Sequence, residues 1–166
     1  MKNIVLIGMP GSGKSTIGVV LAKVLGYEFL DSDLVIQKRE NRLLSEIIEQ
    51  EGVDGFLKIE NDVNKSLDVE RTVIATGGSA VYGKEAMEHL KETGTVIYLR
   101  LAYKPLRRRL GSLKKRGVVL RKGQTFRMLY EERTPLYEQY ADLIIDEENR
   151  TIRETLQIIQ EKLKNK

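Results

Sequence analysis

Residues 3–18 read NIVLIGMPGSGKSTIG, and the change of character within this stretch decides the fold. Asn3–Ile7 is a short, almost wholly apolar run, the signature of a strand buried on both faces. Gly8, Gly11 and Gly13 follow at once, with Pro10 between them. Lys14–Leu25 then places apolar residues at helical spacing and stops at Gly26. Gly8-Met9-Pro10-Gly11-Ser12-Gly13-Lys14-Ser15 fits the pattern G-x-x-x-x-G-K-[ST], and it sits between a strand and a helix, as that phosphate-binding loop requires. The glycines let the backbone curl so that its N–H groups face an anion. The helix adds the positive end of its dipole. Lys14 reaches β- and γ-phosphate oxygens, and the Ser15 hydroxyl ligates Mg²⁺. The stretch therefore predicts a bound nucleotide and Mg²⁺, held by Gly11, Ser12, Gly13, Lys14, Ser15 and Thr16.

Beyond this stretch, strand-like runs alternate with longer helical patterns. Strands are expected at 28–30, Thr72–Ala75, 95–101 and 143–145. Helices are expected at 34–39, 43–51, 53–67, 84–92, 104–113, Phe126–Tyr140 and 151–163. Residues 116–125 are polar, basic and glycine-containing, and read as a mobile loop. Such β-α alternation predicts an α/β fold: a parallel sheet with helices on both faces, in three layers. The whole chain, 1–166, reads as one domain, with no internal repeat or linker.

Composition narrows the function. There is no cysteine, which excludes a disulfide framework and a thiolate metal site, and the single histidine, His89, excludes a His-rich one. His89 lies in an amphipathic helix and reads as structural. No apolar run is long enough to span a bilayer. The first residues lead straight into a strand-like run with no signal-peptide pattern, so a cytoplasmic protein with no membrane partner is expected. The net charge is +4, yet residues 104–122 alone hold nine Lys and Arg and no acid. The remainder carries 19 basic against 24 acidic residues. One local basic patch without interleaved aromatics fits an anionic small ligand better than nucleic acid.

A phosphate loop alone does not separate a kinase from a nucleotide switch. A small-molecule kinase also needs an acceptor pocket, a residue to orient or deprotonate the acceptor hydroxyl, and a cover. Candidates fall at the carboxyl ends of strands, where open α/β sheets bind ligands. Asp31-Ser32-Asp33 follows the second strand: Asp31 can enter the Mg²⁺ shell, and Asp33 can accept a hydrogen bond from the acceptor and act as base. The same spacing also reads as an Asx turn capping the next helix. Gly77-Gly78 after the third strand permits close approach of backbone to a ligand. Arg107-Arg108-Arg109 and Lys114-Lys115-Arg116 can serve a lid that neutralises the transferring phosphoryl group, or be a solvated face. Arg133, taken alone, reads as a surface ion-pair residue.

Taken together these motifs resemble the shikimate kinase family over nearly the full length. The resemblance rests on the phosphate loop, Asp31-Ser32-Asp33, Phe56 followed by Ile59-Glu60, Gly77-Gly78, Arg109 and Arg116 at the family spacing, and Arg133-x-Pro-Leu-Tyr. It implies a P-loop fold of the nucleoside-monophosphate-kinase type, with a five-stranded parallel sheet and a mobile lid at about 110–125. It implies transfer of the ATP γ-phosphoryl to a ring hydroxyl of shikimate, in aromatic amino acid biosynthesis, by a monomer. Lys14, Asp33 and Arg116 would be catalytic, and Ser15 and Asp31 would hold the metal. Arg109 would stack near adenine. Asp33, Gly78 and Arg133 would bind the acceptor, Arg133 through its carboxylate. The chain departs from the family twice. Leu57 stands where the family has a carboxylate-binding arginine, and Ser79 stands where it has a third glycine. Lys58 cannot replace that arginine, because one helical step turns it by about 100°. These two departures favour, as a second reading, a kinase of the same fold for another hydroxylated acceptor, such as a sugar acid or polyol.

Overall fold

A computed structural model describes residues 2–110 and 117–166. The five strands are β1 (Asn3–Ile7), β2 (Glu28–Asp31), β3 (Thr72–Ala75), β4 (Gly94–Arg100) and β5 (Leu143–Asp146). All pair in parallel, in the order β2-β3-β1-β4-β5. The helices are α1 (Lys14–Leu25), α2 (Ser32–Glu40), α3 (Leu44–Lys65), α4 (Lys84–Thr93), α5 (Tyr103–Arg109), α6 (Phe126–Tyr140) and α7 (Ile152–Lys164). A 3₁₀ turn at Ala80–Tyr82, which no periodicity signalled, joins β3 to α4.

β1 is buried along its whole length, which is why it carries no polar alternation. Its side chains divide by parity. Val5 and Ile7 pack with Ile74, Val96 and Tyr98 beneath α4, α5 and α6. Ile4 and Leu6 pack with Val73, Ile97 and Leu99 beneath α1 and α7. A third cluster, formed by Ile36, Leu44, Ile47, Phe56, Val63 and Val119, lies between α2 and α3. It builds the wall of the cleft away from the phosphate loop.

The expected helices at 43–51 and 53–67 form one span, α3, broken at Gly52, whose φ of 73° and ψ of 176° are not helical. Only glycine adopts that conformation cheaply, so the break falls where the sequence changes from Glu51 to Val53. Of the segment 110–125, residues 111–116 lie outside the described residues, and with them Arg116, the expected lid arginine. Residues 118–120 form neither helix nor strand, and Val119 is buried in the third cluster, 5% exposed. Among the described residues no helix is long and apolar enough to cross a membrane.

Candidate active site

A cleft of about 600 Å³ opens at the carboxyl ends of the strands. One end is the phosphate loop, and the other is lined by Asp33, Leu44, Phe56, Gly77, Gly78, Ser79 and Arg133. The loop keeps its shape through glycine backbone: φ is 152° at Gly8, 87° at Gly11 and 88° at Gly13. A Cβ at Gly8 would stand 2.8 Å from the Leu99 carbonyl oxygen, so only glycine lets the loop leave β1 so close to β4. Lys14 is 8% exposed and donates from Nζ to the carbonyls of Gly8 (2.8 Å) and Met9 (2.9 Å). Burial lowers its pKa to about 8, against the opposing field of Asp33.

Asp31 does two things. Its Oδ1 accepts from the Asp33 amide at 2.9 Å and caps α2, and its Oδ2 accepts from the Ser15 hydroxyl at 3.2 Å. The Asx cap is thus made by Asp31, which leaves the Asp33 side chain to the cleft. Burial and the Asp31 carboxylate push the Asp33 pKa up to about 6.

Gly77 and Gly78 bring opposite charges to the same backbone. A Cβ at Gly77 would lie 2.6 Å from Asp33 Oδ1 and 2.9 Å from Glu60 Oε2, and one at Gly78 would lie 2.9 Å from an Arg133 Nη1. Arg133 is 1% exposed, donates to the Val119 carbonyl at 3.2 Å, and lies over the Tyr82 ring at 5.4 Å. Tyr137, one helical turn after Arg133, donates its hydroxyl to the Gly78 carbonyl at 2.6 Å. The cleft therefore presents a phosphate loop, a carboxylate beside Gly77 and a buried cation beside Gly78.

The shikimate kinase family profile matches residues 10–164. The chain belongs to the shikimate kinase family. The shikimate kinase of Haemophilus influenzae (strain PittEE) is 40% identical over 158 residues, covering 91% of this chain and 87% of that one. The shikimate kinase structure from Aquifex aeolicus superposes with a TM-score of 0.85 at 33% identity, covering 98% of this chain and 96% of that one. The one from Acinetobacter baumannii, solved in complex with shikimate, superposes with a TM-score of 0.82 at 32% identity, covering 100% and 95%. As a shikimate kinase the chain is an ATP-dependent transferase, and the five-stranded P-loop fold read from the sequence is the family's fold.

Of the residues singled out in this kinase, the structure brings Gly11–Thr16, Asp33, Gly78, Arg109 and Arg133 to one cleft. Asp31 reaches that cleft through Ser15. Arg109 donates to the Gly11 carbonyl at 3.1 Å, tying α5 to the phosphate loop. Arg133 is a buried pocket residue, unlike the surface role its position suggests in isolation. His89 Nε2 contacts the Leu67 carbonyl oxygen at 2.6 Å, a structural role. Lys58 is exposed, and Leu57 lines a small separate cavity of about 20 Å³ shared with Val119 and Arg133 rather than the main cleft.

Four residues of the shikimate kinase site carried no assigned role in the sequence. Ser79, 5% exposed, donates its hydroxyl to Glu60 Oε1 at 2.6 Å, so that hydroxyl is turned to the wall. Burial raises the Glu60 pKa to about 7. Tyr137 could be found from its i+4 spacing to Arg133, which puts both on one helix face. Glu147 lies in Glu147-Glu148-Asn149-Arg150 and reads as part of a solvated charge run, yet it is 6% exposed. Gly77→Ala in this kinase is expected to lower kcat roughly 10²-fold by displacing Asp33. Nucleotide affinity should stay within twofold of wild type, and steady-state kinetics with a nucleotide titration check both.

Proposed function

We propose that this shikimate kinase moves the γ-phosphoryl of ATP to a ring hydroxyl of shikimate with Lys14, Asp33, Arg133 and the phosphate-loop amides in the leading roles. The observation that carries this reading is the placement of Asp33 and the buried Arg133 on either side of Gly77-Gly78, in one cleft with the phosphate loop. Arg133 pairs with the acceptor's carboxylate and sets the ring's orientation. Asp33 accepts a hydrogen bond from the hydroxyl that reacts. The hydroxyl O–H bond breaks as its proton passes to Asp33. The oxygen bonds to the γ-phosphorus, and the bond from that phosphorus to the bridging oxygen breaks to release ADP. Lys14 and the loop amides neutralise charge on the β- and γ-phosphate oxygens.

Mg²⁺ fits the residues present: Ser15 and Asp31 already meet through oxygen atoms, and this ion takes one or two protein oxygens beside phosphates and water. Ser15 and Asp31 would hold it, and it would supply positive charge to offset that of the phosphates. Arg116 is assigned to the same charge neutralisation from the lid, and Arg109 to the adenine side. An ATP-supplied compartment such as the cytoplasm is the location this reading calls for.

A coupled assay of ADP release tests the acceptor. Shikimate should give turnover well above background ATP hydrolysis, and sugar acids or polyols should not. The reverse pattern would transfer the activity to another hydroxylated acceptor. Leu57 makes that comparison informative. Without a second cation, the carboxylate loses one charged partner, at a cost of about 2–3 kcal/mol. Leu57→Arg, whose long side chain would have to pass Arg133 from the small cavity into the main cleft to meet the carboxylate, is therefore expected to lower the KM for shikimate, by roughly 30- to 150-fold at most. An unchanged KM would show that Leu57 does not limit acceptor binding.

A further inference from the structure

Glu147 is a buried ionisable group lining the cleft that the reaction does not use. It follows β5 directly, and its amide donates to the Arg100 carbonyl at 3.0 Å, which fixes it at the sheet's carboxyl end. Its side chain lines the nucleotide end of the cleft at 6% exposure. Oε1 lies 4.0 Å from the position of a Cβ on Gly13, beside the phosphate loop. Oε2 is enclosed and has no hydrogen-bond partner among the described residues. A carboxylate beside a loop built to take polyphosphate is a like charge where the nucleotide's charge must come.

The charges that face Glu147 explain why it is tolerated. Arg109, from α5, and Lys14, from α1, are the cations whose fields favour its ionised form, Arg109 more strongly. Burial opposes them and raises the pKa to about 7. Both cations also belong to the nucleotide's surroundings: Lys14 is in the loop, and Arg109 is tied to Gly11.

We propose that Glu147 is a tethered counter-anion of the nucleotide site, which balances Lys14 and Arg109 while the site is empty and repels the phosphates when it is filled, so that it weakens ADP retention. This rests on the assignment of the loop as the ATP site. The role is electrostatic and positional: Glu147 makes and breaks no bond in the transfer. A hydrogen-bonding contact to the nucleotide would give the opposite sign on removal, so the sign of the effect decides the matter.

The experiment is ADP binding to the full chain by calorimetry at pH 8 and low salt, with release followed by stopped flow. Glu147→Gln, equal in shape and neutral, should bind ADP on the order of tenfold more tightly, chiefly through slower release. Glu147→Asp, which keeps the charge, should stay near wild type. Glu147→Thr provides a second neutral variant and should tighten ADP in the same direction. Shikimate affinity should be unchanged in all three. Equal or weaker ADP binding in the two neutral variants would overturn the proposal. Lys14→Ala is measured alongside. If it leaves ADP affinity intact, the assignment of the loop itself fails; if it weakens binding while the neutral Glu147 variants do not tighten it, only the role of Glu147 fails.

Discussion

Lys14→Ala is expected to lower kcat on the order of 10³-fold, with ADP binding weakened and the fold retained. Lys14 is nearly enclosed, and its ammonium rests on two carbonyls at the neck of the loop. Those contacts hold it where β- and γ-phosphate oxygens arrive, so little reorganisation is left for the reaction itself. A positive charge already in place, in a cleft that excludes water, is worth far more to a developing phosphoryl charge than the same charge in solvent. Alanine removes the charge and leaves the carbonyl oxygens of Gly8 and Met9 facing the phosphates. The effect should not depend on the acceptor. Steady-state turnover with shikimate, ADP calorimetry and a melting curve check the three parts. A loss below tenfold would mean that the loop amides and the metal carry the charge without Lys14.

Asp33→Asn is expected to reduce kcat by about 10²–10⁴-fold while the KM for ATP stays within roughly twofold. Asparagine keeps the shape and removes the capacity to take a proton. Asp33 lies close to Gly77, and asparagine removes only its field at Lys14, so donor binding should survive. The α2 cap should survive as well, because Asp31 supplies it. A normal kcat in this variant would remove Asp33 from proton transfer and leave the acceptor hydroxyl to be deprotonated by the transferring phosphoryl group or by solvent.

The parts of the site that were legible in the sequence share one property: they are set by residues close together along the chain. The phosphate loop needs glycines at fixed offsets, a lysine and a serine, and flanking elements of the right period. β1, α1, β3 and α6 have the limits that their apolar spacing and punctuation indicate. The break in α3 follows from one glycine. The two departures from the family pattern were also visible at once, because each is a single side chain at a defined position in a motif.

Other roles depended on which faces meet. Asp31 and Asp33 are two residues apart and chemically alike, and only the turn into α2 shows that Asp31 makes the cap and Asp33 lines the cleft. Arg133 reads as a surface residue from its helix, and is buried because the backbone of Val119 and the Tyr82 ring close over it. Ser79 might have faced the acceptor or the wall; Glu60, 19 positions away, turns it to the wall. Glu147 sits in a polar run and is buried because β5 delivers it against the loop after β1.

The sequence by itself determined the nucleotide loop, the α/β alternation, the family and the two positions where the acceptor site departs from it. Tertiary structure alone decided which carboxylate caps α2 and which lines the cleft, where the Arg133 cation is held and which acid is buried beside the phosphate loop. The physical reason is range. Backbone conformation and periodicity are fixed by neighbours a few residues apart, whereas burial, charge balance and hydrogen-bond partners arise between segments that meet only when the sheet closes.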